Sequence, residues 1–225
     1  MKLRIFTAVL ALCAALFTLG ACGTSTTSDA TTPQQPTITP ITEENTVQTP
    51  WNSSDPYPVV TFTMENGGVI TAELYPDAAP NTVHNFLSLV NQGYYDGKIF
   101  HRVIPNFMIQ GGCVNGSGAG RWHYSIACET SGNTLRHEPG VLSMAHAGPN
   151  TGSVQFFIMH GRPAPHLDGR HTAFGRVIDG MDIVDQIANS PKGANDRPNN
   201  PPTIASATAD AFGVIYPEPV TLPGR

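Results

Sequence analysis

Charge is scarce in this chain. Lys, Arg, Asp and Glu make up 13% of its 225 residues, and the 12 basic residues never gather into a block. Nucleic-acid binding by phosphate neutralisation needs such a block, so nucleic acid is not an expected partner. The net charge of −5 is modest. Metal-binding clusters are missing too: none of the eight His residues forms a close pair at helical ligand spacing, and no carboxylate cluster accompanies them. No metal or other cofactor is therefore expected. The stretch Gly93-Tyr94-Tyr95-Asp96-Gly97-Lys98-Ile99 is one residue short of a phosphate loop and lacks Ser or Thr after Lys98. The stretch Gly116 to Gly120 fits neither the nucleotide fingerprint nor the nucleophile elbow. Both read as ordinary loops. There is no internal repeat and no second domain.

The ends of the chain have their own character. Lys2 and Arg4 precede an apolar stretch, Ile5 to Leu19, of signal-peptide length and too short to span a bilayer comfortably. It ends in Leu19-Gly20-Ala21-Cys22, which resembles a bacterial lipoprotein signal: an aliphatic residue, two small ones, and the Cys to be acylated. On that reading residues 1–21 are removed and the protein works outside the cytoplasm. Acyl chains on Cys22 hold it to a bacterial membrane, each buried methylene contributing about 0.8 kcal/mol. A plain secretory signal with a chance Cys is the alternative. Residues 22–56 are rich in Thr, Ser, Pro and Gln, with little apolar surface to offset chain entropy, and are expected to form a disordered, fairly extended tether. Residues 57–215 suit one globular domain. Residues 216–225, with Pro217, Pro219 and Pro223, read as a loose tail. Cysteine is sparse: beyond Cys13 and Cys22 only Cys113 and Cys128 remain, around a Gly-rich loop. Paired outside the cytoplasm, they would close about 15 residues and stabilise by roughly 3 kcal/mol. Two unpaired thiols are the alternative.

Within the domain, Val59 to Met64 and Val69 to Leu74 are β-rich runs joined across Asn66-Gly67-Gly68, a hairpin signal. After Pro80-Asn81, Val83, Phe86, Leu87 and Val90 recur at helical spacing, and Gly93 is a natural stop. Further strands are expected at 99–104, 108–112, 141–144, 156–159, 173–177 and 203–209, and a second helix at 181–188. Eight strands and two helices leave no room for alternating βαβ units. The pattern predicts a mainly antiparallel β domain without choosing between sandwich and barrel.

Three segments carry chemistry. The first is Phe100-His101-Arg102-Val103-Ile104-Pro105-Asn106-Phe107-Met108-Ile109-Gln110-Gly111-Gly112, two apolar strands around a Pro-Asn turn. Strand alternation places Phe100, Arg102 and Ile104 on one face, His101 and Val103 on the other. An Arg among apolar neighbours is unusual, because a guanidinium is costly to bury. The second segment runs from Gly140 to Thr151 and on to Gln155-Phe156-Phe157-Ile158. The third is His166-Leu167-Asp168-Gly169-Arg170-His171-Thr172-Ala173-Phe174-Gly175-Arg176-Val177. In this order the three resemble the characteristic segments of the cyclophilins, a family of peptidyl-prolyl cis–trans isomerases, over roughly Tyr57 to Asp210.

The resemblance implies a closed eight-stranded antiparallel β-barrel capped by two α-helices, acting as an isomerase on proline-containing polypeptides. It also implies roles. Arg102 would donate to the proline nitrogen of a twisted amide, and Gln110 would steer the guanidinium and contact the substrate carbonyl. Phe107, Met108, Phe157, Leu167 and His171 would hold the proline ring. Gln155 would face the same groove as Phe157, while Ala145 and the backbone of His146 would hold the peptide main chain. Phe100, Phe156 and Phe174 read as core. Two positions depart from the family pattern. His146 stands where Asn is commonest, and His166 stands beside Leu167 where many members have Trp. Cyclosporin-type inhibitors lean on that indole, so weakened cyclosporin binding is expected. The rival reading is a tethered, non-enzymatic binder of proline segments, a chaperone or adhesin. A monomer is expected.

Overall fold

Residues 51–224 are described by a computed structural model. The leader, Cys22 and most of the tether lie outside the described residues. The strands are β1 (Val59–Met64), β2 (Val69–Leu74), β3 (Phe100–Ile104), β4 (Met108–Gly111), β5 (Tyr124–Ser125), β6 (Val141–Met144), β7 (Phe156–Met159), β8 (Ala173–Asp179), β9 (Ile204–Asp210) and β10 (Leu222–Pro223). The helices are α1 (Pro80–Asn91) and α2 (Met181–Ala188). The β1–β2 turn forms as its sequence demands: Gly67 takes a left-handed φ of 86° and the Met64 N–H donates to the Gly68 carbonyl at 2.8 Å.

Eight strands form one antiparallel sheet in the order β3-β4-β7-β6-β8-β2-β1-β9. The sheet curls on itself but is not the closed barrel expected from the sequence. Its edge strands meet only through an isolated bridge, Ile99 with Thr203. Proline explains the limit. Continued antiparallel, that bridge would set Phe100 and His101 against Pro202 and Pro201, which have no N–H to return. The Phe100 N–H still donates to the Pro202 carbonyl at 2.9 Å, and the ladder stops there.

The larger core is built around stacked and edge-on rings of Phe62, Phe86, Tyr95, Phe156 and Phe174, with Phe100 beside them. A second, smaller cluster contains Met108, Val141, Phe157, Met159, Ala164 and Ala173, with Phe107, Ala145 and Leu167 packed on it. The sequence separation of core aromatics from Phe107 and Phe157 thus corresponds to two distinct clusters.

Helix α1 has no side-chain cap of its own, since Ala79 precedes Pro80. The remote Glu129 supplies it: its carboxylate accepts the N–H groups of Asn81 (2.9 Å) and Thr82 (2.7 Å) and the Thr82 hydroxyl (2.6 Å). A carboxylate there satisfies orphan donors and opposes the helix dipole. Glu129→Ala should cost about 1–2 kcal/mol of folding stability, read from the urea midpoint; an unchanged midpoint would refute the cap. At the head of α2, Gly180 has φ 87°, and any Cβ there would collide with the Val69 carbonyl oxygen.

Two expectations are corrected. The last residues are docked rather than loose. Val220 exchanges hydrogen bonds with the Asn81 side chain (2.7 and 2.9 Å), and β10 pairs with β5. Two-residue strands carry no periodicity to read. The bridge between Cys113 and Cys128 is not formed; both thiols are free. Each is engaged locally instead, Cys113 Sγ accepting from the Gly118 N–H and Cys128 Sγ from the Asn150 N–H, both at 3.2 Å.

Candidate active site

Strand β3 does not alternate simply. Phe100 lies opposite Gly111 and Arg102 opposite Gln110, so two steps on β3 match one on β4 and His101 is an extra residue, a β-bulge. The bulge keeps both Phe100 and Val103 in the large core while Arg102 faces the smaller cluster. Straight alternation had put Phe100 and Arg102 on one face; the extra residue separates them. His101 takes the consequence. It is 5% exposed, and neither ring nitrogen has a hydrogen-bond partner. Burial, then the charges of Arg197 and Arg102, lower its pKa to about 4.

Arg102 borders a groove of about 240 Å³. Phe107, Met108, Phe157 and Leu167 supply its apolar lining, and Gln110, Gln155, Ala145, His146 and His171 complete the group expected from the sequence. Gly118 and Ala147 also line it, without having been expected. His166 does not line it: its ring stacks on Phe107 at 5.9 Å, on the outer side of the pocket. A larger cleft of about 380 Å³ lies between α2 and residues 200–203, but its only ionisable side chain is Glu65. The groove sets a cation, Arg102, beside an apolar recess.

Gln110 is not bonded to Arg102. Its amide donates to the Gln155 side-chain oxygen at 3.0 Å, and Gln155 donates to the Gly118 carbonyl at 3.1 Å. This relay fixes one wall of the groove and leaves Arg102 to a different partner: the Asp196 carboxylate is 3.8 Å from Nε.

The rim histidines are locked by backbone. The His146 and His171 rings stack with centroids 4.0 Å apart. His146 Nε2 donates to the Arg170 carbonyl at 2.9 Å, while its Nδ1 accepts the Gly148 N–H at 3.2 Å. His171 Nδ1 donates to the Met144 carbonyl at 3.0 Å. Burial lowers the His171 pKa, and the neighbouring His146, His137 and His166 add to the shift. The side chain at 146 therefore props His171, which leaves its backbone for any peptide contact.

Behind the pocket lies a network the sequence reading missed. His137 Nδ1 is 2.8 Å from Asp168, and Nε2 is 2.9 Å from the Ser143 hydroxyl, which donates to the Thr172 carbonyl at 3.1 Å. The His137 ring stacks under Phe157 at 6.0 Å. Burial lowers the His137 pKa despite Asp168. Partial burial would raise the Asp168 pKa, but the His137 hydrogen bonds and the charges of His137 and Arg136 outweigh it and hold it low. The Ser-His-Asp order invites a hydrolase reading, yet Ser143 is 0% exposed and no substrate carbonyl can reach it. The network instead fastens the Leu167–His171 turn to the pocket floor. Its members sit singly in the sequence, so no local spacing pointed to them.

A groove on an antiparallel sheet that sets a cation beside an apolar recess, with no Ser, Thr or Cys among its lining residues, suits a binder or a catalyst of conformational change. Residues 59–209 match the family model described as cyclophilin type peptidyl-prolyl cis-trans isomerase/CLD, and the chain belongs to that family. It is 56% identical over 128 residues to peptidyl-prolyl cis-trans isomerase B of Bacillus subtilis, covering 57% of this chain and 89% of the relative. A peptidyl-prolyl cis-trans isomerase of Synechococcus elongatus is 52% identical over 124 residues, covering 54% of this chain and 83% of the relative. The crystal structure of a Cryptosporidium parvum cyclophilin type isomerase superposes with a TM-score of 0.64 at 32% identity, covering 69% of this chain and 98% of that one. The same Cryptosporidium parvum protein has been solved in the presence of the dipeptide Ala-Pro, with a TM-score of 0.63, 32% identity, and coverage of 68% of this chain and 99% of that one.

Proposed function

We propose that the protein catalyses cis–trans rotation about X–Pro bonds of exported or surface polypeptides, held to a bacterial membrane by lipid on Cys22. The observation that carries the enzymatic part is the placement of Arg102, by the His101 bulge, at the edge of the recess floored by Met108 and Phe157. Rotation about the amide is opposed by about 18–20 kcal/mol of partial double-bond character. No bond is made or broken, so the catalyst has only to bind the twisted amide better than either planar form. As the amide twists, the proline nitrogen regains a lone pair. A guanidinium, always charged and rich in rigid donors, offers it a hydrogen bond without transferring a proton. The apolar recess holds the ring while the preceding carbonyl swings toward Gln110 and Gln155. Unassisted exchange takes tens to hundreds of seconds, so turnover near 10³ per second asks for about 7 kcal/mol of differential stabilisation. A binder of proline segments has no use for the guanidinium, which disfavours the chaperone-only reading.

Proton-exchange NMR on an Ala-Pro peptide tests the catalytic part. Catalytic amounts of protein should broaden and merge the cis and trans signals; signals that stay separate at stoichiometric protein would overturn it. The anchoring part rests on Leu19-Gly20-Ala21-Cys22. Metabolic labelling with a fatty acid should mark the protein in its bacterial host, and Cys22→Ser should abolish the mark. Help for exported proteins past slow proline steps follows from that location.

Cyclosporin provides a further check on the pocket. With His166 stacked on Phe107 and no indole among the groove's lining residues, the dissociation constant should be micromolar or weaker. Submicromolar binding by titration calorimetry would contradict this.

A further inference from the structure

The segment 191–199 folds back on β3 through a short, strained loop. The Lys192–Pro198 bridge closes it, as does the Gly193 N–H donating to the Arg197 carbonyl at 2.8 Å. At its tip Asn195 and Asp196 both take φ 58°, two consecutive left-handed residues without a glycine. Asn and Asp tolerate that region better than other side chains, yet the conformation is unfavourable and persists only where surrounding contacts impose it. Those contacts converge on β3. Lys192 Nζ donates to the Val103 carbonyl at 2.9 Å and to Asp196 Oδ1 at 2.8 Å. The other carboxylate oxygen of Asp196 then faces Arg102 Nε at 3.8 Å. Asp196 itself does not line the groove.

We propose that Asp196, clamped by Lys192 and held in the left-handed tip, is a positioning residue that fixes the guanidinium of Arg102 by its Nε side and leaves the terminal nitrogens to the substrate. The clamp has a second effect. The Lys192 ammonium shares the carboxylate, so Asp196 orients Arg102 without neutralising it. Gln110, which the sequence suggested for this task, is committed to Gln155. The inference rests on the isomerase reading, because the orientation matters only if Arg102 meets a substrate.

Two substitutions remove the carboxylate and still suit a left-handed backbone, Asp196→Asn and Asp196→Gly. Both should lower kcat by about fivefold, the scale of one partly exposed ion pair, with KM for an Ala-Pro peptide nearly unchanged. In ¹⁵N-labelled protein, the Nε and Hε resonances of Arg102 should move in both variants. Loss of thermal stability with the Arg102 resonances and kcat unchanged would make Asp196 a purely structural clasp and overturn the proposal. So would a slowing confined to the Gly variant, which would trace the effect to backbone. Should the parent itself fail to catalyse, the isomerase reading falls, while the Arg102 resonances still decide whether Asp196 holds the guanidinium.

Discussion

Replacing Arg102 with Ala should slow catalysed exchange of an X–Pro peptide by about two to three orders of magnitude, the loss typical of removing one preorganised donor from a developing charge or lone pair. The side chain is 42% exposed, so its removal opens no cavity in either core cluster and the thermal midpoint should barely change. Peptide affinity should fall much less than the rate, because the recess formed by Phe107, Met108 and Phe157 remains. That split identifies a group acting mainly on the twisted amide. Arg102→Lys should recover only part of the loss: an ammonium keeps the charge but lacks the planar fork of donors. The measurement is the exchange rate at several peptide concentrations, parent beside variants. An Ala variant within threefold of the parent would remove Arg102 from the mechanism.

Acid should destabilise the domain well before its carboxylates are protonated. His101 has a folded pKa of about 4, far below the ordinary value of 6.5. The unfolded chain therefore takes up this proton first. Its contribution to stability is complete above pH 6.5 and is lost as pH falls toward 4, amounting to about 3 kcal/mol over that interval. His84, His137 and His171 are shifted the same way, each chiefly by burial, and add to the same slope. Asp168, whose pKa is lowered, contributes in a separate window below the usual carboxylate range. Urea midpoints at pH 7.5 and 4.5 should differ clearly, and His101→Phe should remove a large share of the difference. That variant also removes two buried ring nitrogens without partners, so it should be no less stable than the parent at neutral pH. Equal midpoints for the parent would show that His101 carries no such penalty.

Much of the scaffold could be read from periodicity. The bounds of β1, β2, β6, β7 and α2 coincide with the expected runs, because each is an apolar pattern between clear turn residues. The groove was legible for a different reason: its residues fall in three short segments whose order resembles a known family. Longer-range geometry could not be read locally. The bulge at His101 depends on how β3 registers with Gln110 and Gly111. The cap on α1 comes from Glu129, beyond three intervening strands, and the docking of Val220 needs Asn81, 139 residues earlier in the chain. The surroundings of Arg102 are equally non-local, with Gln110 bonded to Gln155. Gln110 is the neighbour of Arg102 across the ladder, whereas Asp196 arrives from a loop whose left-handed tip no periodicity describes.

Strand β1 sits inside the sheet, laddered to β2 from Val59 to Thr63 and to β9 from Val59 to Met64. It is also the first strand after the segment that leads to Cys22. On the proposed anchoring at Cys22, a pull from that side enters the domain at β1. Load in that direction shears two ladders at once instead of peeling one open bond by bond. Unzipping needs only one hydrogen-bonded pair to fail at a time, whereas shear requires many to fail together. A pull along β1 therefore meets more resistance than the same pull along an edge strand such as β3 or β9, which has one laddered neighbour.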